Sequence, residues 1–178
     1  MASEPLKNVG VSVRDRLLNR SREERIDFQL LLTRYALERL LYRLSRSEHR
    51  NRFILKGAML FATWVDTPFR PTRDLDLLGY GEGSPEAIGQ CFRAICNQPV
   101  DNDGVVFDVD GLEAGLIRED SEYGGVRIRT QATIAGARIP IQSMWALVMP
   151  SRQVLSKSTI PCCSMLRHRS CARIRSRR

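Results

Sequence analysis

The 178-residue sequence predicts an α+β domain in which a mixed β-sheet is flanked by helices. Three observations carry that expectation. Helical periodicity dominates residues 21–46, single strands alternate with helices through residue 96, and β-rich segments crowd together between residues 105 and 142.

The stretch "SREERIDFQLLLTRYALERLLYRLSR" places Ser21 three residues before Glu24, which is capping-box spacing. Ile26, Leu30, Ala36, Leu40 and Leu44 then fall on or near one face, so the segment predicts a single amphipathic helix with its stripe turned to the core. "RFILKGAMLFATWV" reads as a strand, a tight turn at Gly57 and a helix from about Ala58. "RPTRDLDLLG" reads as a strand. Ser84 and Pro85 make a cap and first turn for a helix carrying Ile88, Cys91, Phe92 and Ile95. After the turn "DNDG", the segments "VVFDVD", "VRIRTQATI" and "ARIPIQ" are strand-like, the last two joined as a hairpin at Ala135-Gly136.

An apolar fraction of 43% and a charged fraction of 27% suit a globular protein. No apolar run is long enough to cross a membrane, and "MASEPLKNVG" lacks a signal peptide's hydrophobic region, so a cytoplasmic protein without a membrane partner is expected. Five cysteines without paired C-x-x-C spacing predict neither a disulfide framework nor a zinc site. The net charge of +8 is unevenly placed. Residues 1–142 hold 20 basic and 20 acidic residues, whereas residues 143–178 hold eight basic and no acidic ones, with three of the five cysteines and seven serines. We therefore divide the chain into a core, 1–142, and a basic tail, 143–178, expected to be disordered. The tail also supports an alternative function, a non-enzymatic module that binds nucleic acid through its basic residues.

Asp74 and Asp76 in "FRPTRDLDLLG" alternate, so on a strand they share one face while Leu75 and Leu77 share the other. Two carboxylates so close repel unless a cation lies between them. Upstream, a glycine between strand and helix lets backbone N–H groups approach a phosphate, and Lys56 adds a point charge. A phosphate cradle and a Mg²⁺ site would then share one cleft. On the spacing alone, a solvated strand end is an equally good reading of the aspartate pair.

"LKGAMLF" followed by "RPTRDLDLL" resembles the AbiEii/AbiGii nucleotidyltransferase toxin family, a branch of the DNA polymerase β-like nucleotidyltransferases. Lys56, Gly57 and Leu60 match the first family motif; Arg70, Thr72, Asp74, Leu75 and Asp76 match the second; "IREDSEYGGVRIRTQATIAGARIPIQ" is similar to the central strands. The resemblance implies transfer of a nucleotide from an NTP: Lys56, Gly57, Arg70 and Thr72 bind the triphosphate, and Asp74 and Asp76 hold catalytic Mg²⁺. It implies an acceptor that is an RNA end such as tRNA, or a protein side chain, a cognate antitoxin, and a place in type IV toxin–antitoxin or phage-defence systems. Ala58 departs from the family's usual second glycine.

A larger departure follows Gln142. The family typically continues with a strand reading I-D-V-G-F-G-D, whose aspartate completes the metal site; this chain continues "SMWALVMP". Codons for "SMWALVMP" preceded by one added A can be read as I-D-V-G-F-G-D-A, and the single codons of Met144 and Trp145 constrain that match. The expectation is a one-base deletion, an out-of-frame tail truncating the nucleotidyltransferase fold, Met144 at the third aspartate's position, and impaired transfer. Asp108 and Asp110 precede the strands that lead to the third aspartate and read as a surface strand end. His49 and His168 are unpaired and fit a helix end and the tail. Tyr123, Gly124 and Gly125 read as a turn, and Arg127 and Arg129 alternate onto one face, either in solvent or near phosphate.

Overall fold

The computed structural model describes residues 8–60, 73–81, 83–117 and 125–147. The predicted first helix is two helices. α1 (Val9–Glu24) starts where the Asn8 side chain accepts the Val11 N–H at 3.1 Å, and it stops at Arg25, whose left-handed backbone (φ 53°) returns its N–H to the Ser21 carbonyl. α2 (Phe28–Arg46) is capped by Asp27, whose carboxylate accepts the Leu30 N–H at 2.8 Å. Ser21 is thus no cap: it sits in the last turn of α1 and its hydroxyl donates to the Ile26 carbonyl at 2.6 Å. A carboxylate at a helix N-terminus meets both the free N–H groups and the helix dipole, which favours Asp27 over Ser21.

Leu31, Leu32, Ala36, Leu37, Leu40, Leu41 and Leu44 of α2 are buried, each leucine stabilising the fold by roughly 1.5–3 kcal/mol. Ile26 and Leu30, expected on that stripe, are half-buried. α2 also buries Arg43, whose guanidinium grips both oxygens of Asp103 at 2.8 and 3.2 Å and donates to the Val105 carbonyl. Tyr35 donates to the Asp103 carbonyl. Together they tie the 103–105 loop to the helix.

A 3₁₀ turn (Glu48–Asn51) leads to β1 (Phe53–Lys56), Gly57 turns the chain at φ 70°, and residues 58–60 are helical, as the sequence predicted. β2 (Asp74–Gly79) and α3 (Pro85–Cys96) follow, α3 capped by Ser84 with Pro85 in its first turn. The Phe53 and Phe92 rings meet edge to face, centroids 5.9 Å apart. Next come β3 (Val106–Phe107), β4 (Glu113–Ile117), β5 (Gly125–Ile134) and β6 (Ala137–Leu147). The β5–β6 hairpin turns on Ala135 and Gly136, both at positive φ (45° and 81°), the requirement of a type I′ turn.

The six strands make one mixed sheet in the order β1-β2-β6-β5, with β3 and β4 both pairing β5; only β2 and β6 run parallel. α1 packs on β5, α2 on β6, and α3 on β4 and β5. The core lies between these helices and the face bearing Leu75, Leu77, Ile139, Ile141 and Trp145.

Two strand expectations change, and one strand, β4, was not expected. β3 ends at Phe107, not Asp110, because the Asp108 carboxylate accepts the Gly111 N–H at 2.9 Å and bends the chain. β4 carries little β-propensity, and its pairing with β5 makes it a strand. β6 does not stop at Gln142 but continues through Leu147, so the first five residues of the expected disordered tail belong to the sheet; residues 148–178 lie outside the described residues.

Candidate active site

Alternation along each strand sends every second side chain to the face opposite the helices, and the sheet register lines those side chains up in rows. One row runs Lys56, Asp76, Met144, Arg127 across β1, β2, β6 and β5. The next runs Asp74, Gln142, Arg129, Glu113 across β2, β6, β5 and β4. The sequence-predicted residues Lys56, Gly57, Asp74 and Asp76 therefore share one place. Arg70, Thr72, Tyr123, Gly124 and His168 lie outside the described residues.

Asp74 and Asp76 are half-buried and point to the same side. Side chains two residues apart on a strand stand roughly 7 Å apart, so two ionised carboxylates there repel by about 2 kcal/mol at an effective dielectric near 20. Burial pushes the Asp76 carboxyl above its ordinary value; the Lys56 ammonium pulls it down and Asp74 pushes it up again. A cation between the carboxylates relieves both the burial and the repulsion, so the donor set fits a hard divalent ion that takes its other ligands from water or phosphate oxygens. Among the described residues no cluster of three or more His, Cys, Asp or Glu side chains surrounds a common point.

Gly57 is fitted to this pair. A Cβ built on it would lie 2.2 Å from Asp76 Oδ2, so only glycine allows both the positive φ and the carboxylate's position. Its carbonyl accepts the Leu60 N–H at 3.1 Å, opening a helical turn directly after β1.

Sequence reasoning did not single out Gln142, whose side-chain amide donates to Asp74 Oδ1 at 3.3 Å. It left Arg127 and Arg129 open; the register places both on the face of the carboxylates, a signal already present in their alternation. The Nε of Arg127 is buried without a hydrogen-bond partner among the described residues, an arrangement that costs about 1–3 kcal/mol. A cleft of about 580 Å³, within the range of small-molecule sites, opens beside Asp74 and is lined by Arg73, Gln142, Arg129 and, from α2, Gln29 and Thr33. His49 lies in the 3₁₀ turn with Nε2 3.7 Å from the Glu48 carboxylate, and Asp108 serves its own turn.

Position 144 is the one the sequence assigned to a missing third aspartate. In the parallel β2–β6 pair, Met144 is the direct neighbour of Asp76 on the same face. On either side of it, Ser143 and Trp145 turn into the core: the Ser143 hydroxyl donates to the Leu75 carbonyl at 2.9 Å, and the Trp145 indole Nε1 is buried with no partner among the described residues.

No helix among the described residues is long and apolar enough to cross a membrane. No curated protein matches the chain closely enough to count as a relative. The family model for "Nucleotidyl transferase AbiEii toxin, Type IV TA system" matches residues 39–142, more than half of the 178, and spans β1, Gly57 and both aspartates of β2. The match ends at Gln142, within β6, whose remaining residues 143–147 lie beyond it. On that match the chain belongs to the AbiEii nucleotidyl transferase toxin family of type IV toxin–antitoxin systems.

Proposed function

We propose that this chain is the donor half of a nucleotidyltransferase site, able to bind Mg²⁺ and an NTP but weak or inactive in transfer. The observation that carries the reading is the register Asp76↔Met144: a thioether stands beside the carboxylate pair on the strand where the family resemblance expects a third aspartate. Asp74 and Asp76 hold the divalent cation, which when bound offsets phosphate charge and orients the reacting oxygens. Lys56 and the backbone after Gly57 take the triphosphate, with Arg70 and Thr72 assisting from residues outside the described ones. Gln142 holds the Asp74 carboxylate through its amide. A carboxylate at position 144 would help take the proton of the attacking hydroxyl, carried by an RNA end or a protein side chain; Met144 has no such capacity. The antitoxin that the family implies would act on this activity or its product.

The local environment of residues 143–145 supports an out-of-frame reading of the tail. Ile, Asp and Val, the alternative-frame residues, would put apolar side chains into the core at 143 and 145 and an acid beside Asp76 at 144. The chain instead has a buried hydroxyl that donates to the Leu75 carbonyl, a thioether, and an indole N–H with no partner among the described residues. Sequencing the gene across codon 142 tests this: tail codons that do not restore the family strand in the alternative frame exclude it.

Calorimetric titration of the chain with each of the four NTPs, with and without Mg²⁺, tests the donor site. Binding of at least one NTP that requires Mg²⁺ and falls in Asp76→Asn is expected. Mg²⁺-independent binding, or binding unaffected by Asp76→Asn, contradicts the assignment.

A further inference from the structure

We propose that Arg127, with Arg129 beside it, forms a second anion subsite on the β5 side of the carboxylate pair, which takes a phosphate of the molecule that accepts the nucleotide. The proposal rests on the donor-site reading above, because the strand order turns that reading into a direction. Lys56 and Gly57 lie on β1 at one end of the row, Asp76 follows on β2, position 144 on β6, and Arg127 on β5. Phosphoryl transfer places the attacking and leaving oxygens in line on opposite sides of phosphorus. With the triphosphate's leaving end on the β1 side, the acceptor approaches from β6 and β5.

The groups there are cations that form no ion pair among the described residues. Arg127 has Nε buried and unpartnered, and no ion pair is formed by its guanidinium among the described residues. Its neighbours in the row are Met144, which carries no charge, and Gly115, which has no side chain and leaves open space. Arg129 is exposed on the same face and lines the cleft beside Asp74; Glu113 is its cross-strand partner but forms no ion pair with it among the described residues. A guanidinium with its Nε buried and unpartnered, on the sheet face beside an uncharged Met144 and a side-chain-free Gly115, suits a phosphate oxygen better than a neutral hydroxyl or amide. Both the NTP and a nucleic-acid end carry phosphate, and the experiment separates the two.

The full chain and its variants Arg127→Gln, Arg129→Gln, Lys56→Gln and Arg138→Gln are titrated with two probes. Inorganic tripolyphosphate with Mg²⁺ reads the donor side without a base requirement, and the dinucleotide pUpU reads the acceptor side. Every variant retains the basic tail, so its contribution cancels in the comparison. R127Q and R129Q are expected to weaken pUpU by about tenfold while leaving tripolyphosphate within about twofold, and K56Q to do the reverse. R138Q, four residues along β6 from Gln142, is expected to change neither. Unaltered pUpU binding in R127Q, or a tripolyphosphate loss in R127Q equal to that in K56Q, overturns the subsite. Tripolyphosphate binding untouched by K56Q overturns the donor reading instead. Should R127Q melt below the parent, Arg127→Lys carries the test: it keeps the charge and loses the fork, so pUpU weakens by about threefold or more, and no weakening overturns the proposal.

Discussion

Gly57→Ala separates the backbone role of this glycine from its role beside Asp76. At φ 70°, a side chain costs about 1–2 kcal/mol, partly offset by the roughly 0.4–1 kcal/mol gained from a stiffer unfolded chain. The net loss of about 1 kcal/mol lowers the melting temperature by about 3–5 °C in a domain of this size. The new methyl would also stand 2.2 Å from Asp76 Oδ2. A carboxylate oxygen is the mobile end of its side chain, so Asp76 rotates away and stability suffers little further, while the proposed metal-holding position is lost. Mg²⁺-dependent tripolyphosphate binding should therefore fall by about tenfold or more. Gly136→Ala is the control: it has φ 81° in the hairpin turn and no atom within 4 Å of a built Cβ. It should show the same thermal loss with binding intact. Thermal melts and calorimetry on both variants decide the matter, and a G57A protein that binds as the parent does would refute the assigned position of Asp76.

Other predictions concern charge and packing. The raised pKa of Asp76 means that its favourable contribution to folding is present below its ordinary value and is lost as pH rises through the raised one; Asp76→Asn should raise the melting temperature at pH 7 and leave it nearly unchanged near pH 3. Arg43→Ala strands the buried Asp103 and should cost about 3–5 kcal/mol in denaturant unfolding. A Cβ on Gly79 would sit 2.0 Å from Trp145 Nε1, so Gly79→Ala should cost about 1–3 kcal/mol in the parent and markedly less in Trp145→Val, a coupling readable in a double-mutant cycle. Burial pushes the Cys96 thiol up to about 12 against the pull of Arg43, so this cysteine should resist alkylation at pH 8 until the chain is unfolded.

Features written in local chemistry were legible in the sequence. The Ser84-Pro85 start of α3, the Ala135-Gly136 hairpin and the same-face placement of Asp74 and Asp76 need only capping, turn preference and strand alternation, and all three appear in the structure. Features set by competition or by tertiary pairing were not. Ser21 reads as the cap, yet the Asp27 carboxylate caps α2; β4 is a strand because β5 pairs with it. The site shows the same division. The aspartate pair was visible, whereas the Gln142–Asp74 hydrogen bond and the Arg127 position depend on how β6 and β5 are registered against β2. The composition break at residue 143 was plain, but it is not a structural boundary, since strand pairing carries β6 through to Leu147.

The central claim is that the site lacks one carboxylate, at position 144. The direct measurement is transfer of radiolabelled NMP from each of the four NTPs to a total RNA and protein extract, comparing this chain with the version whose frame is restored after Gln142. Mg²⁺-dependent labelling is expected from the restored chain, abolished by Asp74→Asn, with little or none from the chain as it stands. Equal labelling by both would contradict that claim.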